Sequence, residues 1–521
     1  MSSLLRSNIT VALGTALSRV TGLLRLMVFG WIIGQTALSD AYVIANETPN
    51  IVYDLLLGGV LSATLVPLFS SFIEADDDEA TSVVITVAAT LMAALTVVAV
   101  IAAPLIFRLY TLDPGGDVDP AMFHRVGTTL ARIFLLQIFF YGLTGLASAY
   151  LNSRRLFFAA AWSPVVSNLI IIATLFTLRG RVWGLADVET SDRLKWTLGL
   201  GATAGIAVMA LLTVAAARRS GFRWRFAWNW THPAVKQVAK LSGWTLGFAI
   251  ANQIALIVVR NLADPGSSIA TAYFVAFTFF VLPHGLLAVS ISTTFQPEMA
   301  RAVHRKDRPA FIQQTSLGVR LIVLLTLPAG LVMFALRRPI VGALLEYRNF
   351  SSSAAENTVR GLAGFSLGLV GFSVYQFVLR GFYAHKDTRT AFVVNVAENA
   401  INILLAILLV GRYGVLGLGL AYALAYLVSA VLVLKILSTK VRGFALRPIA
   451  EATSRMAIAA VLMAEAVWLA TRSIGSDHGG GAFARLLSGG VVAPIVYIGV
   501  LIALRAPEVA SLRNIASRRR D

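Results

Sequence analysis

The residues able to do chemistry in this chain are charges set inside apolar stretches. Arg19 and Arg25 lie within the first, residues 8–34, and Asp40, Glu47 and Asp54 open the second, with Asn50 between them. An ionisable side chain at membrane depth is costly unless it meets a partner or lines a water-filled path. Arginine keeps its proton and presents a planar fork of donors, so two of them suit a phosphate or diphosphate group. Their spacing of six residues leaves them about 120° from stacking on one helical face, so both could border a wide cavity without aiming at one atom. The plainer alternative is a strut, with Arg19 paired to Asp40 or Glu47 and Arg25 reaching to the interface.

Arg260, late in the seventh apolar stretch, and Glu398, in the eleventh, are similar outliers. Asn395 and Asn399, and likewise Glu398 and Asn402, are four apart and stack on one helical face. Carboxylate and amide oxygens are candidate ligands for a hard cation, or a proton-accepting cluster. Interhelical hydrogen bonding is the competing role. Signals for catalysis are weak. Asp117 and Asp119 form a DxD, but Asp113, Gly115, Gly116 and Pro120 surround them, and the segment reads as a solvated turn. The six histidines show no HExxH spacing, there is no Walker A motif, and there are no cysteines. We therefore expect no enzyme and no firmly bound metal or cofactor.

The elements that must position these residues are membrane helices. Of 521 residues 57% are hydrophobic and 13% charged, with a mean hydropathy of +0.76. Runs of about 20 apolar residues, each enough to cross the hydrocarbon, recur along the whole length. The sequence predicts an all-α integral membrane protein with about fourteen transmembrane helices. The second and seventh fall near 40–73 and 236–261, and the last two near 450–471 and 484–506. The first span is too long for a signal peptide and carries two arginines, so no cleaved leader is expected.

The halves echo each other. DAYVIANETPNIVYDLLLGGVLSATLVP (Asp40–Pro67) and TAYFVAFTFFVLPHGLLAVSISTTFQP (Thr271–Pro297) share Ala-Tyr, Gly, Ser-x-Thr and Pro positions. The offset of about 230 residues predicts two pseudo-symmetric six-helix lobes, 1–220 and 221–440. A C-terminal helix pair and basic tail, 441–521, follow. Net charge is +18. In a soluble protein this would suggest nucleic acid, but cytoplasmic loops of membrane proteins collect Lys and Arg. Loops on the side of the termini, such as Arg154-Arg155 and Arg218-Arg219, hold roughly twice the basic residues of the opposite set, which predicts both termini in the cytoplasm. The stretch Arg223–Trp230 alternates basic and aromatic residues and suits the headgroup layer.

Several motifs resemble the MurJ (MviN) family of lipid II flippases, in the MOP flippase superfamily. They are Ser18-Arg19-Val20-Thr21-Gly22-Leu23-Leu24-Arg25, Ser39-Asp40-Ala41, Pro49-Asn50, Gly59, Val66-Pro67, Arg380-Gly381-Phe382-Tyr383-Ala384 and Asp387-Thr388-Arg389-Thr390. The resemblance spans essentially the whole chain. It implies a transporter of the bacterial cytoplasmic (inner) membrane that moves undecaprenyl-diphosphate-linked peptidoglycan precursor, lipid II, from the inner to the outer leaflet by alternating access, for cell-wall synthesis. The family's two arginines and following aspartate, lining a cationic central cavity, carry over to Arg19, Arg25 and Asp40; Glu47, Asn50 and Arg260 are further candidates for that cavity. The last two spans would form a groove for the lipid tail. A Na+ or H+ gradient, or the membrane potential, would supply the drive, with Asn395, Glu398, Asn399 and Asn402 as the coupling candidates. Partners would be lipid II, membrane lipids and other cell-wall synthesis proteins, with no nucleic acid. The alternative is a related MOP-type exporter of lipid-linked polysaccharide units or drugs. The chain departs from the family where Tyr53 and Asp54 stand for basic residues, at Gly58-Gly59, at Thr278 in place of a cavity arginine, and at Val259-Arg260 in place of an aspartate. The last of these weakens the case for a sodium site of the family type.

Overall fold

The computed structural model describes residues 3–55, 65–116, 118–221 and 224–508, with side chains described except at 3–9, 12, 52–55 and 237–246. All regular structure among them is helical. The first half holds α1 (Ser3–Ile33), α2 (Ala37–Ala45), α3 (Glu47–Leu55), α4 (Val66–Glu74), α5 (Asp78–Ile101), α6 (Ala103–Leu109), α7 (Pro120–Leu135), α8 (Gln137–Ser153), α9 (Phe158–Phe176), α10 (Leu185–Thr190) and α11 (Asp192–Arg219). The second holds α12 (Pro233–Leu262), α13 (Ile269–Pro283), a π-helical turn (His284–Ala288), α14 (Val289–His304), α15 (Arg308–Ala335), α16 (Arg337–Leu344), α17 (Ser352–Ala384), α18 (Thr388–Tyr413), α19 (Val415–Lys440), α20 (Arg447–Thr471) and α21 (Gly479–Ala503).

Twelve helical segments among the described residues are long and apolar enough to cross a membrane, so the chain is a multi-pass membrane protein. The other two expected spans, 40–73 and 236–261, are described only in part. Within 40–73 the described residues form α2, α3 and the start of α4, with Asn46 between α2 and α3; 56–64, and with them Gly58 and Gly59, lie outside the described residues. In α12 the apolar described stretch is only Gly247–Leu262.

The chain divides into two compact units. One is Met1–Gln253 with Asp264–Thr271 and Arg348–Phe350; the other is Ile254–Ala263, Ala272–Tyr347 and Ser351–Asp521. In the first, α1 and α11 both pack along α9. In the second, α17 packs on α19 and α15, and α20 pairs with α21. The α17–α19 contact is a backbone approach. A Cβ on Gly364 would lie 2.6 Å from the Leu420 amide nitrogen, and one on Gly368 would lie 2.6 Å from the Ala423 Cα. Between membrane helices, where burial from lipid gains little, such close approach is what makes packing favourable.

One turn recurs at the offset seen in the sequence. Asp76, Arg155, Lys306 and Lys386 all have left-handed backbone, with φ of 55°, 61°, 56° and 59°. Each closes a Schellman-type end, in which the next residue's N–H bonds to a carbonyl five back: Asp77 to Phe72, Leu156 to Leu151, Asp307 to Ala302 and Asp387 to Phe382. Asp77, Asp307 and Asp387 then cap the following helix by accepting from the N–H of Ala80, Ala310 and Thr390. The acidic run after Glu74 and the Asp387-Thr388-Arg389-Thr390 motif are thus helix-joining turns.

Candidate functional site

The Ser18–Arg25 motif sits on α1 with one face clamped to α9. The Asn168 amide donates to the Ser18 carbonyl at 3.3 Å and to Thr21 Oγ1 at 3.1 Å, and the Trp162 indole donates to the Thr10 carbonyl at 3.2 Å. Ser18, Thr21 and Gly22 therefore turn toward α9, since a Cβ on Gly22 would contact the Asn168 amide. Arg19 consequently points away and is exposed, while Arg25 is half-buried within electrostatic reach of Tyr42. Neither arginine forms an ion pair among the described residues.

Asp40 is placed by a capping box. Thr36 and Ser39 exchange side-chain hydrogen bonds to start α2 at Ala37. This sets Asp40 in the first turn, fully buried. It does not pair with Arg19. Its Oδ2 accepts from the N–H groups of Gly266 and Ser268, both at 2.9 Å, and its Oδ1 accepts from the Thr271 N–H at 2.8 Å and hydroxyl at 2.5 Å. The alternative of a strut from Arg19 to Asp40 is thus not what the structure shows, and Asp40, expected to line the cavity, is instead clipped onto residues 264–271. The backbone explains the fit: Asp264, Gly266 and Ser268 alternate into left-handed φ of 50°, 100° and 73°. Such alternation turns successive N–H groups inward as an anion nest, here at the N-terminal end of α13, where a carboxylate also meets the helix dipole. Gln35 adds a bond to the Ser268 carbonyl at 2.9 Å, and Ser39 Oγ lies 3.0 Å from Thr271 Oγ1.

Glu47 and Asn50 are half-buried on α3. Asn50 is engaged within the fold, donating to the Asn46 carbonyl at 2.8 Å and accepting from the Tyr141 hydroxyl at 3.0 Å. The side chains of Tyr53 and Asp54 lie outside the described residues, as does Asp117 of the DxD. Asp119 caps α7 by accepting from the N–H groups of Ala121 and Met122.

In the second unit Arg260 is buried at the end of α12, over the rings of Tyr273 and Phe274 at 5.6 and 5.9 Å. Thr278, on α13, turns its hydroxyl to the Phe274 carbonyl. Asn395, Glu398, Asn399 and Asn402 are all buried on α18. The Asn399 amide donates to the Asn395 carbonyl at 2.9 Å, and Glu398 accepts from the Tyr426 hydroxyl. Tyr426 meets Tyr375 edge to face and Tyr422 at a tilt, at centroid distances of 5.3 and 4.6 Å, and all three phenols lie within electrostatic reach of Glu398. Sequence reading missed this tyrosine cage. Tyr422 and Tyr426, four apart on α19, were a visible signal, but Tyr375 joins them only through the glycine contact of α17 with α19. Among the described residues no three His, Asp or Glu side chains gather as a metal site.

Many apolar spans and an all-helical architecture among the described residues define a multi-pass membrane protein. The fold is similar to that of a multidrug resistance MATE family transporter of the MOP superfamily in an inward-facing conformation, with a TM-score of 0.65 over 81% of this chain and 95% of that one, at 14% identity. More closely similar is the structure of "Lipid II flippase MurJ, inward closed conformation", with a TM-score of 0.77 over 95% and 99% of the two chains at 22% identity. The family model "Lipid II flippase MurJ" matches residues 30–487, and the chain belongs to that family. The match begins after both α1 arginines. Relatives include the "Probable lipid II flippase MurJ" of Rhizobium meliloti, 29% identical over 477 residues covering 90% of this chain and 87% of that protein. The "Lipid II flippase MurJ" of Burkholderia cenocepacia is 29% identical over 399 residues, covering 74% and 75%. As a member of a flippase family, the chain is a transporter and not an enzyme.

Proposed function

We propose that this protein carries lipid II from the inner to the outer leaflet of the bacterial cytoplasmic membrane by alternating access, with both termini in the cytoplasm. The observation that carries the reading is the pair of α1 arginines that form no ion pair among the described residues while lying inside a membrane span, in a chain of this family. A lipid-linked diphosphate has a headgroup that cannot cross hydrocarbon unaided and a tail that can remain in it. Guanidinium forks at Arg19 and Arg25 answer the first need. Arg260, packed over aromatic rings, is a weaker candidate for direct contact with cargo. Asp40 acts here as a latch: its four acceptor positions are filled by the 264–271 segment, so opening that end requires their release. The buried Glu398, with Asn395, Asn399, Asn402 and the tyrosines, is the candidate coupling site for H+ or Na+, and membrane potential is the alternative drive. Other cell-wall synthesis proteins are candidate partners.

The test is complementation of cells depleted of their own lipid II flippase, with lipid II exposed on the outer leaflet as the readout and membrane levels checked. Wild type restores exposure, while Arg19→Ala and Arg25→Ala at equal levels do not. Wild type that expresses well and never restores exposure sinks the cargo assignment and favours the exporter alternative. Arginine variants as active as wild type would move the cargo site away from α1.

A further inference from the structure

A pocket of about 320 Å³ opens where α1 ends, lined by Trp31, Arg179, Gly180, Arg181, Arg348 and Asn349, all within the first unit. Three arginines converge there from two separate loops. Arg181 is neutralised, pairing with Asp187 at 2.5 Å and lying over the Trp183 ring at 4.8 Å. Arg179 and Arg348 have no acidic partner among the described residues. All three arginines are exposed at the pocket, and basic side chains lining one concavity raise a positive potential that favours an anion there.

The pocket wall is fixed rather than incidental. The Asn349 amide bridges the Ile32 carbonyl at 2.6 Å and the Arg181 carbonyl at 3.2 Å, and the Trp183 indole donates to the Leu178 carbonyl at 2.8 Å. Arg348 holds left-handed backbone at φ 54°, uncommon for a residue with a side chain. The position is also telling. Residues 31 and 179–182 lie at the ends of the spans Leu13–Ile33 and Phe158–Phe176, on the membrane face opposite the N-terminus. Trp31 and Trp183 mark the headgroup layer there. Basic residues are disfavoured on that face unless they have a task. The volume is at the small end of ligand sites, about 300–1,000 Å³, and suits a compact headgroup group rather than a whole disaccharide.

We propose that this pocket is a phosphate-binding site at the headgroup level of the leaflet opposite the N-terminus, with Arg179 and Arg348 supplying the guanidinium forks and Arg181 the third wall. It stands apart from Arg19 and Arg25 and does not depend on which cargo the protein carries. Two sources offer the same chemistry, a phospholipid headgroup and free phosphate.

Full-length protein in neutral detergent is titrated with phosphatidylglycerol, with diacylglycerol and with inorganic phosphate, and bound adducts are followed by native mass spectrometry. Wild type binds phosphatidylglycerol and not diacylglycerol. The pair Arg179→Ala with Arg348→Ala weakens that binding about tenfold or more at unchanged melting temperature, while Arg193→Ala, an exposed arginine outside the pocket, behaves as wild type. If the alanine pair melts early, the glutamine pair takes its place. Displacement of the lipid by millimolar phosphate supports a site for the free anion; resistance to it supports the lipid source. Equal binding by wild type and the arginine pair, or equal binding of diacylglycerol, overturns the proposal.

Discussion

Replacing Asp40 by alanine tests the latch most directly. In the folded chain its carboxylate accepts three backbone N–H groups and one hydroxyl from residues 266–271, all at 2.5–2.9 Å. Alanine leaves the three N–H groups without an acceptor in a fully buried site. At about 1–3 kcal/mol per orphaned donor the loss is about 3–9 kcal/mol. The low end is expected, because the buried carboxylate's own desolvation cost disappears and water can enter the vacated space. Asparagine keeps the shape, and the Thr271 hydroxyl can turn to accept from its amide, so only the Thr271 N–H is left opposed, at about 1–3 kcal/mol. The chain has no cysteines, so a single Ser268→Cys substitution reports on this segment by its rate of labelling with a membrane-impermeant maleimide. Weakening the clip by about 3 kcal/mol raises the open fraction about a hundredfold. Labelling should therefore accelerate strongly in Asp40→Ala and less in Asp40→Asn, with melting temperatures falling in the same order. Labelling rates and melting points matching wild type in both variants would refute the latch.

Two further outcomes follow from the second unit. Gly364→Ala places a methyl 2.6–2.8 Å from the backbone of Gly419 and Leu420, which cannot step aside, and should cost about 1–3 kcal/mol in detergent melting; Gly411→Ala, with open space around it, should be neutral or stabilising. Burial pushes the Asp387 carboxyl up, but the Lys440 ammonium and the Thr390 N–H and hydroxyl outweigh it and bring it down to about 2 from an ordinary 3.8. Its contribution is present above pH 3.8 and is lost as pH falls toward 2, so Asp387→Asn should lower stability near pH 6 by about 1 kcal/mol, discounted for solvent screening, and match wild type near pH 2. A constant difference across that range would mean the cap matters and the ion pair does not.

What the sequence determined by itself was local. Hydropathy set the helices, because a run of about 20 apolar residues in lipid has only the helix with which to satisfy its backbone. The joining turns at Asp77, Asp307 and Asp387 are equally local, since a cap acts on an N–H three residues away, although the sequence reading did not pick them out as caps. The face shared by Asn395, Glu398, Asn399 and Asn402 followed from helical spacing alone. Tertiary structure decided what each charge meets. Asp40 is as ionisable as Arg19 in the sequence, yet one is saturated by a loop more than 220 residues away and the other is exposed, because Asn168 clamps the opposite face of α1. The cage around Glu398 needed two glycines to let α17 and α19 touch, and the phosphate pocket needed Asn349 to draw its loop onto the end of α1. Backbone propensity reaches only a few residues along the chain, whereas the partner of a buried charge is chosen by which helices can approach, and that is a property of packing.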